Sequence, residues 1–512
     1  MNLIKLTNNL KLHHGLVQSG RWNSTSEILR SGKYKSVVGV EVHAQILSNS
    51  KLFSAAPNNP TAPANTAVSL FDAATPGTLP RINRQCVESA VRTATVLNCE
   101  LNQISMFDRK HYFYADSPAG YQITQQRLPL AVNGQITFFV SNVKKPYLKS
   151  SKIHQIQLEQ DSGKSIHFPG TRTSLLDLNR AGVPLMELVF EPDLSTGEEA
   201  ASLLKELSLI LTRLGVCSCK PGALRCDANI SIHRPGEPFG IRSEVKNIAS
   251  VRGVAKAIEY EISRHIQVIE SGGKIVNETR SWDDETGTTI SMRDKEVVQD
   301  YRFMPEPNLP PLNLDSIDMD AIRDSIPEMP DLTRETLSGY NLQQQEIEIM
   351  VKYANLLNLF LSVMQKDSSE SMIKIATTLL KYQVLGACNK LKIKPQDCSL
   401  TDENFTEVIE MIQADVINTA ISKNIIFEVI KNPKISARQF VEENNLKVIR
   451  DPTELRQLCK LVIDKYDKVT KKARRRKEGE FEKLVKALMK ESNDRADISL
   501  SRPILQELLK SN

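Results

Sequence analysis

The chain has 512 residues, 40% of them hydrophobic and 25% charged, with a formal charge of +5. That length supports two to four domains whose cores need no staples. The mild positive balance permits a polyanionic partner without requiring one. Eight cysteines without CxxC pairs or regular spacing exclude a disulfide framework. No stretch approaches the roughly 20 apolar residues of a membrane helix, so no membrane insertion is expected.

Residues 1–35 carry Lys5, Lys11, Arg21 and Arg30 against one acid, Glu27, and Leu3, Leu6 and Leu10 fall on one helical face. This composition predicts a mitochondrial transit peptide and a matrix location. An unstructured tail is the other reading. From Val37 to about Pro311, strand and helix patterns alternate. VGVEVHAQIL, residues 38–47, alternates strictly and places Glu41, His43 and Gln45 on one face. An acid and an imidazole at i and i+2 on a strand can grip one metal, with Glu159, Glu187 and Asp227 as further candidates. Oxygen-rich ligation with one imidazole suits Mg²⁺ or Mn²⁺. A solvated strand face would show the same pattern.

Residues 106–125, MFDRKHYFYADSPAGYQITQ, set Asp108, Arg109, Lys110 and His111 in succession among five aromatic rings. A strand that only fills a core has no use for them; a polar cleft lined by stacking rings does. Residues 153–161 alternate again and put Gln155, Gln157, Glu159 and Asp161 together. The SGKS at 162–165 is not a phosphate loop, because Leu158 stands where the first glycine is needed. Thr196 and Glu199 predict a capping box, and Leu203, Leu207, Ile210 and Leu214 a buried stripe that stops at Gly215. A second helix is predicted over about 251–270. Between the helices, LRCDANISIH and IRSEVKNIAS read as a hairpin. One strand turns Arg225, Asp227, Asn229 and Ser231 to one face; the other turns Arg242, Glu244 and Lys246. Cys217, Cys219, Cys226 and His233 match no common zinc spacing, and no zinc is expected.

Proline becomes dense over 304–332, and the rest reads as helices with a joint at Asn432-Pro433. The run Lys471, Lys472, Arg474, Arg475, Arg476 and Lys477 attracts phosphate backbones. A solvated helix end is the plainer reading.

Twelve ordered segments, among them VGVEVHAQI, FDRKHYFYAD, GYQITQ, DLNRAGVPLMELVFEPD, LRCDANISI, EVKNIAS and DYRFMPEPNLP, cover about 36–312. They resemble the B-subunit family of the glutamyl-tRNA(Gln) amidotransferases in its mitochondrial form. The resemblance implies an α+β fold: a mixed, largely antiparallel sheet cradle with flanking helices over 36–315, a helical domain over 316–436, and a YqeY-like helical tail over 437–512 that binds tRNA. It implies conversion of Glu-tRNA(Gln) to Gln-tRNA(Gln). ATP and Mg²⁺ would activate the glutamyl carboxylate as an acyl phosphate, and an amidase-type A subunit, bridged by a small C subunit, would supply ammonia. Glu41, His43, Glu159 and Glu187 would then hold the metal. Arg225, Arg242 and Lys246 would face phosphates, Arg109 and Lys110 would line the cleft, and Asp227 and Glu244 would complete the catalytic set. Three departures stand out: Ser69-Leu-Phe-Asp72 replaces a CPVC-like stretch, Ala119 replaces a lysine, and Gln160 replaces a glutamate. Loss of a cation and an anion together is the tolerable route if the two once paired. A pure tRNA-binding scaffold and a stand-alone phosphoester metallohydrolase are the competing classes; metal binding and the presence of an amidase partner separate them.

Overall fold

The computed structural model describes residues 32–168, 173–292, 301–474 and 479–510, in two compact units divided between Met329 and Pro330. The predicted transit peptide lies almost wholly outside the described residues. Tyr34, within that predicted segment, is buried in the first unit's core and donates its hydroxyl to Glu270.

In the first unit, strands run β1 (Lys35–Gln45), β2 (Glu100–Leu101), β3 (Ile104–Ser105), β4 (Asp108–His111), β5 (Tyr121–Thr124), β6 (Ala131–Val140) and β7 (Tyr147–Gln160). They continue as β8 (Lys164–His167), β9 (Ser174–Asp177), β10 (Pro184–Phe190), β11 (Leu224–His233), β12 (Ser243–Ile248), β13 (Glu278–Asp283), β14 (Thr288–Ser291), β15 (Phe303–Pro305) and β16 (Leu312–Asn313). Nine described strands form one sheet in the order β14-β13-β12-β11-β1-β10-β7-β6-β2. Its pairings are antiparallel except β12–β13, so the sheet is mixed.

Period-two alternation gives this sheet one apolar and one polar face. Val38, Val40, Val42 and Ala44 of β1, Ala228 and Ile230 of β11, and Met186 and Leu188 of β10 turn inward. There they pack with helices α1 (Arg84–Val96), α2 (Gly197–Arg213) and α3 (Val251–Glu270) in one core. The α2 stripe of Leu203, Leu207, Ile210 and Leu211 is buried, and Gly215 ends the helix at φ +67°. Thr196 caps it by accepting from the Glu199 N–H, but the Glu199 carboxylate reaches back to the Ser195 N–H, one residue earlier than a capping box requires. The polar face is left uncovered by these helices and carries the charged residues of five neighbouring strands.

A second sheet, β15-β4-β5, packs against β7 and is formed by the aromatic-rich segment. Asp108 anchors it: fully buried, it accepts from the Arg127 guanidinium at 2.6 Å and from the backbone N–H groups of Gln126 and Arg127. The loop containing Ser69–Asp72 is tied through the Asp72 carboxylate, which accepts from Lys51 Nζ, Ser54 Oγ and the Ser69 N–H.

The second unit is helical from Pro330–Ser338 to Ile498–Lys510, and its last segment gathers a core around Leu455, Cys459, Val462, Leu484, Leu488 and Leu505. Among the described residues no single helix is long and apolar enough to cross a membrane.

Candidate functional site: a carboxylate–imidazole cluster beside a lysine

The register of the central strands builds the site. Glu41 on β1 lies opposite Asp227 on β11, and His43 lies between Arg225 on β11 and Glu187 on β10. Glu187 in turn faces Gln157 on β7. Glu41, His43 and Glu187 thus converge, each offering a ligand atom within 4.8 Å of the others. His43 Nε2 is 3.4 Å from Glu41 Oε1 and 3.9 Å from Glu187 Oε1.

Two carboxylates this close cannot both be ionised without a cation beside them. Burial, the hydrogen bond to Glu187 and that neighbour's charge push the Glu41 carboxyl up to about 9. Burial likewise raises Glu187, aided by the charge of Glu159. Gln157 fixes the cluster's orientation by donating Nε2 to Glu187. A donor set of two carboxylates and one imidazole, short of positive charge, fits a hard divalent cation.

Lys110 reaches in from β4, with Nζ 3.3 Å from Glu159 Oε2 and 5.0 Å from the Tyr301 ring centre. Burial works to lower its pKa, but Glu159, Glu187, Tyr301 and Glu41 outweigh that and hold the ammonium well above its ordinary range. Lys246 on β12 is 3.3 Å from Glu244, whose carboxylate also accepts from Thr279. Burial opposes the Lys246 charge, and Glu244, Tyr301 and Asp227 sustain it.

Of the four predicted metal ligands, three are brought together, and Glu159 instead pairs with Lys110. Arg225 donates to Asp161 at 2.7 Å, at the edge of the cluster. Arg109 is not part of the site: its guanidinium forks onto Glu306 at 2.6 and 3.1 Å and lies 4.4 Å from the Tyr121 ring centre. Successive residues on a strand point to opposite faces, so Arg109 and Lys110 cannot both line one cleft. Arg242 is exposed and precedes β12. Lys471, Lys472 and Arg474 lie on the helix Asp467–Arg474, where both lysines are exposed and Arg474 is too; Arg475, Arg476 and Lys477 lie outside the described residues. Ala119 and Gln160 line one small cavity together with Asp72, Asp116 and Gln122. Sequence reasoning missed Tyr301 and the role of Gln157, although Gln157 shares the parity of Glu159.

Fold and site together define an α+β protein whose mixed sheet carries a candidate divalent-cation centre beside a half-buried ammonium. Residues 36–320 match the GatB/GatE catalytic domain and residues 358–509 the GatB domain. The chain is 50% identical over 497 residues to the B subunit of the mitochondrial glutamyl-tRNA(Gln) amidotransferase of Aedes aegypti, covering 94% of each. It is 44% identical over 506 residues to the mitochondrial human protein of that name, covering 95% of this chain and 90% of the other. The B subunit of the aspartyl/glutamyl-tRNA(Asn/Gln) amidotransferase of Rickettsia canadensis is 39% identical over 484 residues, covering 94% and 99%. The chain belongs to the GatB family of amidotransferase B subunits, and these identities set it nearer the mitochondrial members than the bacterial one.

Proposed function

We propose that this protein works in the mitochondrial matrix, where it binds Glu-tRNA(Gln) and activates the glutamyl side chain for amidation. The observation that carries the reading is the convergence of half-buried Glu41 and His43 with buried Glu187 beside the Lys110 ammonium. A surface that only bound RNA would favour cations throughout and has no use for two converging carboxylates.

The glutamyl carboxylate is a poor electrophile, and its attack on the γ-phosphorus of ATP brings two anions together. Catalysis is therefore chiefly positioning and neutralisation of charge on the transferring group. A carboxylate oxygen bonds to phosphorus, the bond to the β,γ-bridging oxygen breaks, and ADP leaves with that electron pair. Ammonia then attacks the acyl carbon and inorganic phosphate departs, leaving the amide of Gln-tRNA(Gln). Glu41, His43 and Glu187 would hold Mg²⁺, which when bound neutralises phosphate oxygens. Lys110 and Lys246, both kept protonated, meet the equatorial charge, and Arg225 sits at the rim. An amidase-type A subunit supplies the ammonia and a small C subunit joins the two.

The test is conversion of mischarged Glu-tRNA(Gln) by the assembled complex carrying Glu41→Gln, Glu187→Gln or His43→Ala. Each variant is expected to lose about 10²-fold or more in conversion, with glutamine hydrolysis by the partner still measurable. Unchanged conversion in all three would refute the reading.

A further inference from the structure

The aromatic rings around β4 are more than packing. Just past the end of β4, Tyr112 and Tyr114 are stacked with centroids 4.1 Å apart and planes 19° apart. Tyr301 approaches Tyr112 at 6.2 Å and continues to Phe303 at 6.4 Å. Beside them Phe113 is 84% exposed, on a segment where no apolar core requires it. Tyr112, Tyr114 and Tyr301 are themselves half-buried, and with the exposed Phe113 and Phe303 beside them they make an aromatic patch of the kind that marks a binding surface. Its inner end reaches the site: the Tyr301 ring lies 5.0 Å from Lys110 Nζ.

We propose that Tyr112, Tyr114 and Tyr301 form a stacking platform for the terminal unpaired bases of the tRNA acceptor end. The proposal rests on the functional reading above and deepens it. It assigns the route by which a carboxylate carried on the last ribose is delivered to the carboxylate–lysine centre. Unstacked bases at RNA ends are recognised by stacking on aromatic side chains, whose faces accept any base. Among the described residues the series runs from Lys110 at its inner end to the exposed Phe113 at its outer one. That suits the end of a polymer entering from solvent; a small nucleotide is better held by walls on all sides. The neighbouring ammonium groups of Lys110 and Lys246 add attraction for phosphate without reading sequence.

Binding of uncharged tRNA(Gln) to the full chain, in complex with its partner subunits, tests this against the same tRNA lacking its last three nucleotides. Tyr112→Leu and Tyr114→Leu should each weaken binding of intact tRNA by roughly 5–100-fold. The trimmed tRNA should bind wild type more weakly and be indifferent to either substitution. Tyr112→Phe and Tyr114→Phe keep the rings and should retain the affinity, which separates stacking from a general loss of fold. The platform is refuted if intact and trimmed tRNA bind wild type equally, or if the leucine variants weaken both alike. It is also refuted if the variants reduce ATP affinity and leave tRNA binding intact, which would place the adenine of ATP on these rings. None of these outcomes touches the phosphorylation reading, which stands or falls on conversion in the Glu41, Glu187 and His43 variants.

Discussion

Glu41 and Glu187 lean on one another through a shared hydrogen bond inside a wall of strands, offset by His43, the more distant Lys110 and the Gln157 amide. A divalent cation seated there binds the folded chain and not the unfolded one, so it should raise the melting temperature by an amount that grows with the logarithm of its concentration above Kd. Mg²⁺ is expected to shift the wild-type midpoint upward and to leave Glu187→Gln almost unmoved, as read by differential scanning fluorimetry. An equal shift in both would place the ion elsewhere. The cavity shared by Ala119 and Gln160 makes a second residue-scale prediction. Ala119→Lys alone puts an ammonium beside a neutral amide, whereas Ala119→Lys with Gln160→Glu offers it a partner. Ala119 is exposed, so the lysine keeps most of its water and the pair gains at most about 1 kcal/mol over the single change. The single variant should therefore melt below the double. Identical melting would show that the two positions do not couple.

Among the elements, α3 is tied to the sheet's far edge through a buried carboxylate. Glu261 lies fully buried on α3, 2.7 Å from Arg264 and 3.1 Å from Arg280 on β13, and it also accepts from the Thr289 hydroxyl on β14. Burial works to raise its carboxyl, but hydrogen bonds from His265, Arg264 and Thr289, with the Arg264 charge, win and hold it at about 2. A folded pKa below the usual 4.5 means stability fully present above about pH 4.5 and lost as pH falls toward 2. Glu261→Gln should cost about 2–3 kcal/mol at neutral pH, below the usual penalty for breaking a buried pair, since the two guanidinium groups lose their fully buried partner and keep only Glu278. It should also flatten the acid limb of urea-denaturation stability between pH 5 and pH 2. A variant that kept the wild-type acid slope would deny Glu261 this part. The crossing of α2 and α3 is as demanding: a Cβ at Gly197 would lie 2.2 Å from the Ala255 carbonyl oxygen. Gly197→Ala is expected to destabilise by about 1–3 kcal/mol, because backbone must move to admit it. Much of this layer was legible in the chain. Burial of one face forces period two, and period two in VGVEVHAQIL and LRCDANISIH aligns Glu41, His43 and Asp227 by parity alone. The same rule, applied to Arg109 and Lys110, separates them. What no local pattern carries is the pairing of Arg109 with Glu306, 197 residues away, or of Lys110 with Glu159 across two different sheets.

At the scale of the whole molecule, the helical unit invites a cut, and the structure says where. The predicted tail boundary at 437 falls at the start of the helix Ala437–Glu443, whose first N–H donates to Asn404 Oδ1 at 2.7 Å and whose cap, Ser436, donates to Glu407 at 2.9 Å. Removing 437–512 would strip that helix from its neighbour and leave buried Asn404 and Phe405 uncovered. The terminal core instead begins at Ile449, which bridges to Ala496 and packs with Leu455 and Leu484. A truncation after Lys447 removes that core as a unit, together with the exposed Lys471, Lys472 and Arg474. If those cations lie on phosphates, each phosphate no longer neutralised should lower the slope of log affinity against log salt by about 0.7–0.9. The truncated complex is expected to bind tRNA more weakly at low salt, with a shallower slope, and to keep its ATP affinity, because the candidate centre lies wholly in the first unit. Filter binding at several salt concentrations, with ATP affinity measured on the same preparation, reads both quantities. An unchanged slope would make the basic helix an ordinary solvated surface, and a parallel loss of ATP affinity would mean that the tail supports the first unit rather than the RNA.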